Sequence, residues 1–577
     1  MQSKVENWRS YIPLLDVLRH YRRDDFGHDL LAGLVVGVIT VPQAIAYAFL
    51  AGLPAQAGLY ACLAPMVIYA VLGSSRHLVV GPVAVAALMV AAAIGTYAPR
   101  YDDAYLGLTA VLCLEAGLFL WLLRLFQMGG LVNLLSHPVI AGFVNAAVVL
   151  IIISQIPALS GVPSTPSGGA IGQLMAVPTV IGQLNPGTLA VAVSCLIGLW
   201  VVQRHGIGLL RRIGLRLADD HPVQRTGPLL VTVAATVAVA LWNLDTLHGL
   251  AVVGYVPAGL PDLVLPPFQW QMWVDLAPPA AMIAVVSYVE SYSIGTTLAT
   301  RKRTRLNPHQ ELIALGAANI GAAFTGGYPV AGSFSRSSVN FQTGARTPVS
   351  SLVCMVVIVL TLLFFTPLFA RLPQAALAAI IVISVLGIVD LKGAYRHWKG
   401  HRDDSLTELV TFAAVVVFGV EAGLLTGVAL SIAFFVRQSS RPHIALVGRI
   451  GETGQFRNVR RYDTETHPQI AAIRIDENVF FANANQIENK LLRIVQSRPD
   501  TRHVLLVCSA VNRIDVSGLE MLYRVNQNLA AMAVTLHLSD VKGPVMDQLQ
   551  ATDFVAELTG DVFFSTDQAM RDLAQRA

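Results

Sequence analysis

A carboxylate and a guanidinium stand out in an otherwise apolar chain. Glu290 lies within AMIAVVSYVESYSIGTTLA, a largely apolar run. An ionisable group inside a membrane helix is costly and marks a functional position. A carboxyl group there can take up and release a proton; the competing reading is a salt bridge to Arg336 that only fixes packing. Arg336 is the only basic residue between Arg305 and Arg346. A guanidinium is permanently charged and offers oxyanions a planar fork of N–H donors, which suits an anion clamp; alternatively it reaches for the inner surface. Ser333, Ser335, Ser337 and Ser338 add hydroxyls, and capping or back-bonding would occupy at least two of them. Gln43 and Tyr47, four apart in VPQAIAYAF, share one helix face and both donate hydrogen bonds; an ordinary contact between packed helices is the other reading. Glu115 and Glu421 border apolar runs and carry less weight, the first as a packing residue, the second at a loop. The chemistry in view is reversible binding of an oxyanion together with a proton. No nucleophile–base pair or metal cluster points to an enzyme or a cofactor. The five cysteines, Cys62, Cys113, Cys195, Cys354 and Cys508, are scattered without CxxC spacing and read as packing residues.

The element that must position Arg336 is residues 326–347, GGYPVAGSFSRSSVNFQTGART. Gly326, Gly327, Pro329 and Gly332 cannot sustain a helix. A helix can start after Ser333 as N-cap and run to about Thr343, roughly 16 Å and half a bilayer. Tyr328 to Gly332 would cover the other half if extended. Such a broken element sets a helix N-terminus near the bilayer midplane, where free amide N–H groups favour an anion. A second stretch has the same grammar: HLVVGPV (77–83), then AVAALMVAAAIG, with a break at Gly81-Pro82 and a short helix from about Val83 to Gly95. Paired, interrupted hydrophobic segments in two halves of a chain point to a transport site; two merely kinked helices are the plain alternative.

Of 577 residues, 54% are hydrophobic and 13% charged, against about 25% charged in soluble domains. This predicts an integral membrane protein. The formal net charge of +4 gives no reason to expect a nucleic-acid partner. Apolar spans fall near 30–50, 55–72, 78–98, 105–126, 138–157, 186–203, 228–247, 273–298, 309–325, 328–345, 348–366, 373–390, 406–420 and 421–437. With fourteen spans, the basic clusters (the N-terminus, Arg204 to Arg225, Arg301 to Arg305, Lys392 to Arg402, and Arg437 with Arg441) all lie on one side, while loops 158–185 and 248–272 are nearly free of Lys and Arg. The positive-inside rule then places both termini in the cytoplasm. The broken elements are third and tenth, that is, third in each set of seven, and their helix N-termini would face each other, as in an inverted seven-plus-seven repeat. Expected domains are a cytoplasmic lead-in at 1–28, a transmembrane anion-transport domain at 29–437, and a soluble domain at 442–577. In the last, IAAIRID, HVLLVCS and VTLHLSD read as buried strands, and 484–497, 517–532 and 543–550 as helices, giving a small α/β domain. Asp515 or Ser517 would cap the helix that follows DVSGL.

The run PQAIAYAFLAGLPAQAGLYACLAPMVIYAVLGSSRHLVVGP (42–82) resembles the signature of the SulP sulfate permease family, which includes prestin and the plant sulfate transporters. GSFSRSSVNFQTGART (332–347) resembles that family's tenth element, and 442–577 with DVSGL is similar to its STAS domain. The resemblance implies a core domain (spans 1–4 and 8–11) moving against a gate domain (5–7 and 12–14), with an anion bound between the third and tenth helix N-termini. It places Gln43, Tyr47, Val83, Ser335 and Arg336 at that site, with Ser333 as an added hydroxyl, and a dimer as the usual assembly. Tyr47 stands where prestin has Phe. Glu290 matches the acidic position of proton-coupled members; sodium–bicarbonate members tend to have Asp there. Ser517 matches a serine that is phosphorylated in bacterial anti-sigma-factor antagonists. The expected function is secondary active anion transport, with proton-coupled sulfate uptake across the plasma (inner) membrane in front. Bicarbonate or C4-dicarboxylate transport, an uncoupled anion channel, and a sensor acting through the C-terminal module are the rivals.

Overall fold

The computed structural model describes residues 12–95, 97–129, 136–162, 183–212, 227–387, 389, 398 and 402–576. The first eleven residues of the lead-in, much of loop 158–185, and parts of the Arg204–Arg225 and Lys392–Arg402 clusters lie outside these, as does the side chain of Glu421.

Each of the fourteen apolar stretches corresponds to an element. Among the described residues, seven helices are long and apolar enough to cross a membrane by length and composition. The first span, Arg23–Ala51, starts earlier than its apolar run because Asp24 and Asp25 favour a helix N-terminus. The eighth, Trp270–Arg301, carries Pro278 and Pro279 within it. The second is two helices, Ala55–Tyr60 and Ala64–Leu72, where hydropathy suggests one. Pro65 in the first turn of the second piece has no N–H to continue the ladder. The backbone of Gly327 packs so close to the break that a Cβ there would lie 2.9 Å from Ala61 Cα.

The third and tenth elements are broken as expected. Two-residue strands β1 (Val80–Gly81) and β2 (Ala331–Gly332) pair antiparallel, Val80 with Gly332 and Gly81 with Ala331. Each strand leads into a short helix: Ala84–Ile94 with Val83 as N-cap, and Phe334–Gln342 with Ser333 as N-cap. Extended backbone within a bilayer is tolerated only where its polar groups find partners inside the protein, and these do. Val79 N–H donates to Ser337 Oγ at 2.9 Å. Val330 N–H donates to Asn319 Oδ1 at 2.9 Å, and Asn319 Nδ2 donates back to Val330 O at 3.2 Å. Gly332 N–H donates to Ser291 Oγ at 2.7 Å, and Ser333 N–H to Val79 O at 3.1 Å.

Two buried carboxylates fasten the neighbouring elements. Asp29 on the first span accepts from the N–H groups of Arg346 (2.8 Å) and Thr347 (3.0 Å) and from Thr347 Oγ1 (2.5 Å), which fixes the turn after the tenth element. Glu311, near the start of the ninth span (Pro308–Phe324), accepts from Tyr69 Oη (2.8 Å), Ser74 N–H (2.9 Å) and Ser74 Oγ (2.7 Å).

The C-terminal unit, Ala429–Ala577, holds a six-stranded sheet of order β4-β3-β5-β6-β7-β8. Its strands are β3 (Ile444–Arg449), β4 (Phe456–Asn458), β5 (Ile470–Ile475), β6 (His503–Val507), β7 (Thr535–Ser539) and β8 (Val562–Phe563). Pairs from β5 through β8 are parallel, and β3 pairs antiparallel with β4 and β5. Alternate residues enter opposite cores: Ala471, Ile473, Val504 and Leu506 on one face, Ile470, Ala472, Leu505 and Val507 on the other. Both faces are covered, so these strands read as unbroken apolar runs. The helices Ala484–Gln496, Val516–Ala531 and Gly543–Ala551 match the expected ones; Thr566–Arg576 covers the second face.

Candidate functional site

The β1–β2 ribbon brings two helix N-termini to one place. The helix after β1 leaves in one direction and the helix after β2 in the other. Their first-turn N–H groups have no intrahelical acceptor, and each end carries about half a positive charge. Ser333 is used by its own helix, its Oγ accepting from Arg336 N–H at 3.5 Å. Ser337 is engaged by Val79 and Ser338 Oγ accepts from Gln342 Nε2 at 3.1 Å, so three of the four serines have structural work. Phe334 and Ser335, at the head of the tenth helix, are exposed, whereas Val83 at the head of the third is buried.

Arg336 is among the largest fully buried side chains, 1% exposed. Side chains on a helix lean toward its N-terminus, and Arg336 leans back across the ribbon. Its Nη2 donates to Pro82 O at 2.7 Å. A Cβ on Gly81 would lie 3.2 Å from Nη1, so glycine there lets the guanidinium lie on the backbone. Nε and Nη1 have no oxygen or nitrogen partner among the described residues. A buried cation with two unused donors is costly unless something supplies acceptors. The thiol of Cys62 and the hydroxyl of Tyr328 lie within its electrostatic reach. The Tyr328 hydroxyl is itself buried and unpartnered.

Gln43 is buried with Oε1 unpartnered. Tyr47, on the same face, is buried and within reach of both Arg336 and Glu290. Glu290 also interacts with Arg336, but no contact ion pair joins them among the described residues. The packing-only salt bridge is therefore not what the structure contains. Glu290 is next to Ser291, whose Oγ donates to Ser287 O (2.6 Å) while accepting from Gly332 N–H; the eighth span is thus tied to the strand that precedes Ser333. Glu115 is buried with one oxygen unpartnered among the described residues.

Gln43, Tyr47, Val83, Ser333, Ser335, Arg336 and Glu290 therefore lie on the elements that meet at the ribbon. Sequence reading did not single out Ser291, Asn319 or Tyr328. The signal for Asn319 was there, an amide alone in LGAANIGAA; nothing in the pattern separates Ser291 from its neighbouring serines. In the C-terminal unit Asp515 is the N-cap, accepting from Gly518 N–H at 2.8 Å, and it also accepts from Phe481 N–H at 2.8 Å. Ser517 is half-buried beside it.

Comparison with known proteins gives a consistent picture. Residues 26–411 match the model of the sulfate permease family, and residues 461–569 that of the STAS domain. A probable sulfate transporter 4.2 of Arabidopsis thaliana is 33% identical over 559 residues, covering 95% of this chain and 81% of the relative. A probable sulfate transporter of Mycobacterium tuberculosis is 32% identical over 550 residues, covering 95% of each. Among solved structures, SLC26A9 shares the fold with a TM-score of 0.85 at 24% identity, over 98% of this chain and 94% of that one. The transmembrane domain of a cyanobacterial bicarbonate transporter, BicA, superposes with a TM-score of 0.60 at 25% identity, over 70% of this chain and 98% of that one.

Proposed function

The chain belongs to the sulfate permease family and is a multi-pass membrane anion transporter, and on that premise we propose that it takes up sulfate together with a proton by alternating access. The observation that carries this reading is Arg336: a buried guanidinium with two unused donor nitrogens, behind a ribbon from which two half-helices depart. Two helix N-termini supply about +0.5 each and Arg336 one more, a field of roughly +2 that suits a dianion. Gln43, Tyr47, Val83, Ser333, Ser335 and Arg336 form the anion site in this proposal, and Glu290 is the proton-coupling residue. Ionised Glu290 subtracts one charge from the field; protonated Glu290 leaves it intact. Proton and sulfate therefore favour each other's binding, and the coupling is reciprocal.

The proposed domains are a cytoplasmic segment at 1–28, the transport domain at 29–437 and the STAS domain at 442–577. Both termini are assigned to the cytoplasm, the membrane to the plasma (inner) membrane, and the assembly to a homodimer. Ser517 is a candidate phosphorylation position. The test is labelled sulfate uptake into proteoliposomes with and without an inward proton gradient. Uptake should rise with the gradient, and Glu290→Gln should transport without responding to it. Gradient-independent uptake by the unmodified protein would refute coupling. A panel that includes bicarbonate tests the substrate, since the same donors serve any small oxyanion.

A further inference from the structure

We propose that residues 13–34 form a site for an anionic phospholipid at the membrane surface where the first span begins. A short helix, Pro13–Arg19, precedes that span and leaves Leu15 and Leu18 40% and 49% exposed. Between the two, Tyr21, Arg22, Arg23 and Phe26 line a surface groove of about 440 Å³. From the groove an apolar stripe runs along the first span: Phe26, Leu30 and Leu34, four residues apart, are 50%, 37% and 43% exposed, and Leu31 beside them is 55% exposed. That spacing keeps them on one helix face.

The charges fit a phosphodiester. Arg22 and Arg23 are exposed, while nearby acids already have partners, Asp25 also accepting from the Arg22 backbone N–H at 3.0 Å. Asp24 and Asp25 pair with Arg346 at 2.5 and 3.0 Å. Asp29 is buried and accepts from Thr347, from Arg346 N–H and, at 3.2 Å, from the Tyr21 hydroxyl. Asp16 faces His20 at 4.0 Å. The Tyr21 contact also fixes one wall of the groove. A headgroup phosphate in the groove meets two guanidiniums, and its acyl chain lies along Phe26, Leu30 and Leu34. A free phosphate would use only the first half of this surface. Interfacial helices with an apolar face, together with arginines beside a span, bind anionic leaflets on these terms.

The test is native mass spectrometry of the detergent-solubilised full chain, titrated with phosphatidylglycerol or phosphatidylcholine. Phosphatidylglycerol should be retained in preference. Arg22→Gln with Arg23→Gln should weaken its apparent affinity about 30-fold, from the usual contribution of two arginines at an anionic surface, and leave phosphatidylcholine unchanged. If the double variant does not fold, Arg23→Gln alone should weaken it about 5-fold. Arg371→Gln, which removes an exposed charge from a different part of the chain, should have no effect. The proposal is overturned if the groove variants bind phosphatidylglycerol like the unmodified protein, if Arg371→Gln weakens it equally, or if inorganic phosphate displaces the lipid at matching concentration.

Discussion

Replacing Arg336 with glutamine should change which anions bind more than how well the protein folds. The guanidinium's hydrogen bond to Pro82 O at 2.7 Å is lost, but the ribbon's own backbone pairs and the bonds from Ser291, Asn319 and Ser337 remain, so the ribbon is expected to survive. What disappears is a full charge. Taking about 8 Å, one and a half helical turns, from that charge to an anion at the first-turn amides, and an effective dielectric of about 20, the lost attraction is about 2 kcal/mol per unit of ligand charge. A monoanion should then lose about 30-fold in affinity and a dianion about 1,000-fold, moving selectivity by about 30-fold toward monoanions. The assay is displacement of labelled sulfate by sulfate and by nitrate in proteoliposomes at fixed pH. Arg336→Lys keeps the charge but loses the fork, so it should weaken both anions while preserving their ratio. Equal losses for monoanions and dianions in Arg336→Gln would refute the electrostatic role and leave Arg336 a packing residue.

Ser291→Ala removes the acceptor of Gly332 N–H. A buried, unsatisfied N–H costs about 1–3 kcal/mol, so the variant should show a lower Tm and faster hydrogen exchange at 330–334. Asp515→Ala strips two acceptors at once, from Gly518 and Phe481; a loss of about 1–2 kcal/mol should appear as faster exchange at 480–483 and 516–520 in the full chain. His537 is buried, accepts from Asp561 N–H at 2.9 Å and lies 3.2 Å from His503. Burial, and then the neighbouring His503, push its pKa from 6.5 to about 4. A depressed histidine pKa means stability is complete above about 6.5 and lost as pH falls toward 4. The C-terminal unit should lose up to about 3 kcal/mol over that window, read by exchange at β6 and β7; a flat profile would show that the pair does not titrate there.

Much of this architecture was legible because lipid is a strict solvent. Glycine and proline cannot interrupt a span without a reason, so the breaks at Gly81-Pro82 and at 326–332 placed both half-helices, with Val83 and Ser333 at their heads. Parallel strands covered on both faces read as the apolar runs at 470–475, 503–507 and 535–539. Strands β3, β4 and β8 were missed: β4 and β8 are three and two residues long and only half covered, and β3 is a six-residue run interrupted by Gly448. The break in the second span was missed although Pro65 lies beside it, because hydropathy runs unbroken across 55–72 and the close approach of Gly327 comes from hundreds of residues away. In the site, charge and isolation gave Glu290 and Arg336. The direction in which Arg336 leans, and the hydroxyl of Ser291 that holds the ribbon, follow from tertiary contacts that no local pattern encodes.

If an oxyanion sits where the two half-helices begin, selenate makes that position visible. Anomalous scattering from a selenate-soaked crystal should give one dominant selenium peak within hydrogen-bond distance of the first-turn amides at Ala84–Val85 and Phe334–Ser335. A peak elsewhere in the membrane unit, or none at concentrations that saturate transport, would contradict it.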